Sequence, residues 1–266
     1  MSLGHVSPVA IGGMIFTLLL ILIVSISLFV IALKKYKAKL SSFFIGALTF
    51  IIFAMVLEQL LHSAVISVFG LERMTKNIFV YALYGAFAAA LFEETGRFLA
   101  MKFCMAKTLS KENAFMYGVG HGCIEAVLIV GITYLSNILN SFAINSGLIE
   151  IQLGALDESL RQQTISQLSA LWTTEPSLFY FVGIERMSAI ALQLGMTFVM
   201  YQGVKSGKIK NVIMAYVIHF IADFITAIVA SFLPIFATEL VIATVAVLAC
   251  VYAYKINKTE SIEPCN

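Results

Sequence analysis

Apolar residues in this chain come in long unbroken runs, and polar residues are largely confined to the short breaks between them. Seven runs reach or approach ~20 residues, the length that crosses the hydrocarbon of a bilayer as a helix. They lie at about 10–33, 41–66, 77–101, 112–137, 177–203, 211–232 and 236–254. The pattern predicts an all-α, polytopic membrane helical bundle of about seven transmembrane helices. It forms one integral-membrane domain over 1–266, with its core at about 77–232. The only long break, about 138–176, places Leu153, Leu156, Leu160, Leu168 and Leu171 at roughly helical spacing, with Asp157 and Arg161 four apart and Trp172 near its end. That predicts an amphipathic helix lying on the outer leaflet, anchored by the indole. A substrate-gating lid is the sharper alternative, because long loops are often functional.

Composition changes the picture in one way. The chain of 266 residues is 60% hydrophobic and 12% charged, with mean hydropathy +0.95, against about 25% charged for a soluble domain. Positive charge then orients the helices, because lysine and arginine accumulate in cytoplasmic loops. With the N-terminus outside, twelve lysines are cytoplasmic (Lys34, Lys35, Lys37, Lys39, Lys102, Lys107, Lys111, Lys205, Lys208, Lys210, Lys255 and Lys258), and only Arg73, Lys76 and Arg161 lie outside. N-out and C-in is the expectation, in the plasma membrane of a bacterial cell. The net charge of +2 reflects this bias and implies no nucleic-acid partner. Cys104, Cys123, Cys250 and Cys265 show no CxxC spacing, which predicts free thiols. No basic segment precedes the first apolar run, so it reads as a retained helix and not a cleaved signal.

Ionisable groups inside such runs are expensive and mark function by default. The third span carries Phe92-Glu93-Glu94-Thr95-Gly96-Arg97. Glu93 and Arg97 share a helical face, while Glu94 lies three residues from Arg97 and about 100° around from Glu93. Arg97 can therefore neutralise one carboxylate and leave the other to seek a partner elsewhere. The fourth span holds His121 and Glu125 four apart, among Gly118, Gly120 and Gly122. No strand precedes these glycines, which excludes a dinucleotide loop and suits close helix packing or space beside His121. In the sixth span His219 and Asp223 are also four apart. Glu185 and Arg186, on the fifth, point about 100° apart and are expected to find partners on other helices. Glu58 and His62, on the second, form an i,i+4 pair that reads as structural, near the outer edge. Small residues from Gly85 to Ala90 on the third span suit close approach of another helix.

Depth unites three of these groups. Glu93 is nine residues from Lys102, His121 ten from Lys111 and His219 nine from Lys210, so each lies ~14–15 Å below its basic boundary. One shared layer predicts one centre, on helices 3, 4 and 6 with helix 5 contributing. Two imidazoles and a carboxylate can activate water and stabilise an oxyanion, whereas Cys123 is poorly placed to pair with His121. Zinc held by His121, His219 and Glu93 with an open position is the competing chemistry. The absence of HExxH weighs toward a metal-free glutamate. A non-catalytic scaffold or immunity-like protein and a proton-coupled transporter are the other readings of the same groups.

The ordered trio Glu93-Glu94-Thr95-Gly96-Arg97, Tyr117 to Glu125, and His219-Phe220-Ile221-Ala222-Asp223 resembles the YhfC family of intramembrane peptidases. That family is similar to the CAAX-protease and bacteriocin-processing superfamily, with its pattern EExxR, FxxxH and HxxxN/D/S. Tyr117 stands where the pattern has phenylalanine, and Asp223 where prenyl-protein peptidases often have asparagine, so prenylated substrates are not implied. The resemblance implies that Glu93 is the general base, assisted by His121 and supported by Arg97, with Glu94 as the second carboxylate. It implies that His219 and Asp223 bind the oxyanion or position substrate. Glu125 joins the catalytic candidates on membrane burial alone. Tyr117, Glu185 and Arg186 are candidates for contact with a membrane-protein or peptide substrate.

Overall fold

Side-chain caps and ties mark the start of some helices in the computed structural model. It describes residues 3–258, so Cys265 lies outside the described residues. Seven long apolar helices are present among them: α1 (Pro8–Lys34), α2 (Leu40–Phe69), α3 (Ile78–Cys104), α4 (Lys111–Asn145), α5 (Leu178–Ser206), α6 (Ile209–Phe232) and α7 (Ile235–Lys258). No strand occurs among the described residues. The chain is a polytopic helical bundle. Asn77 caps α3, its side-chain oxygen accepting from the amides of Phe79 at 2.9 Å and Val80 at 3.3 Å. Asn113 accepts from the Lys39 amide at 2.8 Å and donates to the Thr108 carbonyl at 2.6 Å, joining the entry to α2 with the turn before α4.

The described chain divides into two compact units, one of residues 3–24 and 126–186, the other of 25–125 and 187–258. In the first, Val6 and Asn145 exchange two hydrogen bonds, at 2.9 and 2.8 Å, and Thr17 donates to the Phe179 carbonyl at 2.6 Å. Here α4 runs eight residues beyond its predicted end at 137. Its polar residues Asn137 and Asn140 break the hydrophobic run but not the helix, because Tyr134, Ile138, Ser141 and Ile144 keep a buried face at helical spacing. The expected outer helix is three short ones, Leu148–Gly154, Glu158–Leu168 and Ala170–Thr173. Asp157 starts the second by accepting from the Leu160 amide at 2.9 Å. The break splits the expected leucine stripe, leaving Leu153 and Leu171 buried and Leu156 and Leu160 exposed.

In the second unit, α2 and α4 meet backbone to backbone. A Cβ on Gly46 would lie 2.1 Å from the Tyr117 carbonyl oxygen and 3.0 Å from the His121 nitrogen; one on Gly120 would lie 2.1 Å from the Phe43 carbonyl oxygen. Both glycines are therefore required by this close approach, which sets His121 against α2. Gly96 lets α3 approach α2 in another way, since a Cβ there would meet the side chains of Phe53 and Thr49. Beside it α2 widens into a π-helical segment, Ile51–Glu58, a distortion that recurs at functional sites. Along α3, Ala82, Ala86, Ala88 and Ala90 are buried. Gly85, expected to join them, faces open space. At the lysine-rich end Lys111 donates to the Asn257 carbonyl at 2.8 Å, and Asn257 donates to Phe198 of α5 at 3.1 Å. Cys104, Cys123 and Cys250 are free.

The glycine contacts yield a paired prediction. Gly120→Ala should lower stability in detergent by ~2–3 kcal/mol. Gly85→Ala, with room for its methyl and a better helix former in place, should hold or raise it by ~0.5–1 kcal/mol. Thermal melts of the two variants beside the parent check both.

Candidate active site

Adjacent residues on a helix point in different directions, and Glu93 and Glu94 use that to reach different neighbours. Glu93, 7% exposed, places Oε2 at 3.0 Å from Nε2 of the fully buried His121 on α4. Glu94 is fully buried and turns to α6, where its Oε1 lies 2.8 Å from His219 Nδ1. Arg97, also fully buried, donates through one arm to Glu94 and through the other to Gln193 of α5. Gln193 in turn donates from Nε2 to Glu93 Oε2 at 3.0 Å and to Glu125 Oε2 at 2.7 Å. Four helices are thus joined by one polar network.

Its far end is His219 Nε2, 3.3 Å from Asp223 Oδ2. Ionised carboxylates only accept, so with both acids ionised both nitrogens of this ring donate. Asp223 is the accessible member, its side chain 38% exposed against 3% for His219. Around His121 the ring of Phe50 packs edge-on at 5.4 Å and that of Tyr117 lies at 6.1 Å. Tyr117 is wholly buried, so it walls the imidazole. Thr95 and Tyr216 bond each other at 3.0 Å beside the network.

Several expectations are met differently. Arg97 hydrogen-bonds Glu94, and it acts on Glu93 through Gln193 and by direct electrostatic attraction; a helix brings both i+3 and i+4 partners within reach, and the amide on α5 decides between them. His121 pairs with Glu93 across helices and Glu125 with Gln193, although the two share a face of α4. Glu185 and Arg186, expected to find partners on other helices, also meet each other: Arg186 Nε donates to Glu185 Oε2 at 2.6 Å, because two long side chains can fold back across the 100° between their stems. Glu58, expected near the outer edge, is buried within the 30-residue α2. It pairs with His62 at 3.2 Å, His62 Nδ1 meets the Tyr84 hydroxyl at 2.8 Å, and Glu58 lies in electrostatic range of Glu93, His219 and Asp223. Gln193 was missed altogether. Its signal was a lone amide, rich in hydrogen-bonding capacity, in the middle of an apolar span.

A metal fits part of this arrangement. Glu93, His121 and Glu125 each bring one donor atom within 4.8 Å of the other two, and one imidazole with two carboxylates is a zinc donor set that leaves a position open. Buried polar atoms without a hydrogen-bond partner, among them His121 Nδ1 and Glu94 Oε2, are compatible with a further ligand here. His219 is not one of the three, since both its nitrogens are engaged by Glu94 and Asp223.

A family model described as "YhfC intramembrane metalloprotease" matches residues 19–247. The chain belongs to the YhfC family. It is 37% identical over 190 residues to "Uncharacterized membrane protein YhfC" of Bacillus subtilis (strain 168), covering 70% of this chain and 72% of that protein. No solved structure matches significantly. With its seven spans, this family member is a multi-pass bacterial membrane protein.

Arg97 offers the sharpest stability test. Arg97→Met leaves Glu94 and Gln193 without their donor and should cost ~3–5 kcal/mol, the usual result of removing one partner from a buried ion pair. Arg97→Lys, a single ammonium in place of a fork with two separated arms, should fall between parent and Arg97→Met in the same unfolding titration.

Proposed function

We propose that this chain is an intramembrane endopeptidase that hydrolyses a peptide bond within or next to the bilayer, from a centre opening toward the cytoplasmic half. One observation carries the reading: Glu93 and His121, contributed by different helices, meet at 3.0 Å among apolar spans, in a network that continues to His219 and Asp223. The family's description supports the same reaction class.

In this reading the Glu93 carboxylate accepts a proton from water, with His121 holding the water in line. The hydroxide oxygen bonds to the carbonyl carbon, and the carbonyl oxygen gains the negative charge. His219 offers its Nε2–H to that oxygen. Asp223, the exposed end of the network, accepts that N–H only over a long contact of 3.3 Å, so the hydrogen can turn from Asp223 to the oxyanion. The C–N bond then breaks as Glu93 returns its proton to the leaving nitrogen. Arg97 and Glu94 keep Gln193 and His219 in place throughout. A divalent metal, when bound, would be held by Glu93, His121 and Glu125, and would polarise a carbonyl and acidify water. Substrates are membrane proteins or peptides in this reading.

Glu93→Gln and His121→Ala should each give folded protein whose cleavage falls ~10²–10⁴-fold. Comparing membrane-embedded peptides from cells carrying the parent or Glu93→Gln supplies both substrate and test, since uncut precursors should accumulate in the variant. Identical peptide profiles with both proteins folded would overturn the peptidase. A membrane scaffold, or a proton-coupled transporter detectable by proton uptake in liposomes, would then take its place.

A further inference from the structure

The orientation of the Gln193 amide is fixed by chemistry. A guanidinium has no acceptor, so the Gln193 atom facing Arg97 is the carbonyl oxygen, and the amino group must face Glu93 and Glu125. That one NH2 then serves two carboxylates from two different helices, at 3.0 and 2.7 Å. These are two of the three groups whose donor atoms cluster closely enough to hold a metal. The stem of Gln193 has little freedom: a Cβ on Gly122 would lie 3.1 Å from Gln193 Cβ and 3.6 Å from its Cγ. Gly122 therefore makes room for this stem, and only the terminal amide is left to move.

We propose that Gln193 is a built-in stand-in for a divalent cation, its amide bridging Glu93 and Glu125 and giving way when a metal binds. The inference rests on the reading of Glu93, His121 and Glu125 as the metal-binding part of the site. Two charge-assisted hydrogen bonds must break before both carboxylates can turn to an ion, so the amide lowers metal affinity. Arg97 keeps the amide poised by binding its oxygen, which also keeps that oxygen from becoming a ligand. The bridged state holds the two acids together without metal, and a metal replaces one bridge with another.

The test compares full-length parent, Gln193→Met and Glu125→Gln, purified in detergent, stripped of metal and titrated with Zn2+ against a fluorescent chelator. Methionine keeps the length of the side chain and removes the amide. Gln193→Met should bind zinc ~tenfold or more tightly than the parent, and Glu125→Gln at least ~tenfold more weakly. Melting curves give a second readout. Zinc-free Gln193→Met should melt below the parent, and zinc should raise its melting point by more than it raises the parent's. Unchanged affinity in Gln193→Met would overturn the proposal, as would weaker affinity, which would make the amide oxygen a ligand. If Gln193→Met does not fold, Gln193→Asn, one methylene short of the bridge, is read by the same criteria. Because zinc binding is measured without substrate, a tighter Gln193→Met in a protein that cleaves nothing would sustain this proposal while the peptidase reading fell. Cleavage by a parent whose affinity does not respond to Gln193 would do the reverse.

Discussion

A guanidinium buried in an apolar bundle must find acceptors for both arms or the helix carrying it cannot remain there. Arg97 finds one on its own helix and one on α5, and the rest of the polar centre follows from that choice. By taking Glu94, it leaves Glu93 to α4. By taking the oxygen of Gln193, it turns the amino group toward Glu93 and Glu125. The same Glu94 that answers Arg97 also fixes His219, so one residue sets the positions of groups on three other helices. Such a network is costly to break at any point, because every lost partner leaves a polar atom where water cannot easily replace it.

Precision of this kind needs helices that approach closely, and small residues provide it. At Gly46 and Gly120 α2 and α4 touch through peptide groups, and at Gly96 α3 rests on Phe53 and Thr49. The hydrogen bonds of the centre can form across helices because the backbones are close. Packing and chemistry are thus linked in sequence, with Gly96 one residue from Arg97 and Gly120 one residue from His121.

Much of this is legible in the sequence. Apolar runs gave the seven spans, since a bilayer imposes length and leaves few other solutions. Counting from the bounding lysines put Glu93, His121 and His219 in one layer, because rise per residue is fixed by the helix. What sequence does not carry is rotation about each helix axis relative to its neighbours. Hence the partner of Arg97, the crossed pairing of His121 and Glu125, and the burial of Glu58 could not be read. Gln193 escaped because a neutral amide raises no alarm in a scan for charge. The extension of α4 to Asn145 escaped for the opposite reason: asparagines lower hydropathy without disfavouring a helix whose other face is buried.

The seam between Gly46 and Gly120 has one more implication. Interfaces built from side chains have many nearly equivalent arrangements, because rotamers can trade places when a neighbour changes. Peptide groups in direct contact have no such repertoire, so this junction is either seated or parted. His121 belongs to that junction, its amide nitrogen 3.0 Å from where a Cβ on Gly46 would sit, so its imidazole is placed by backbone contact and not by an adjustable side chain.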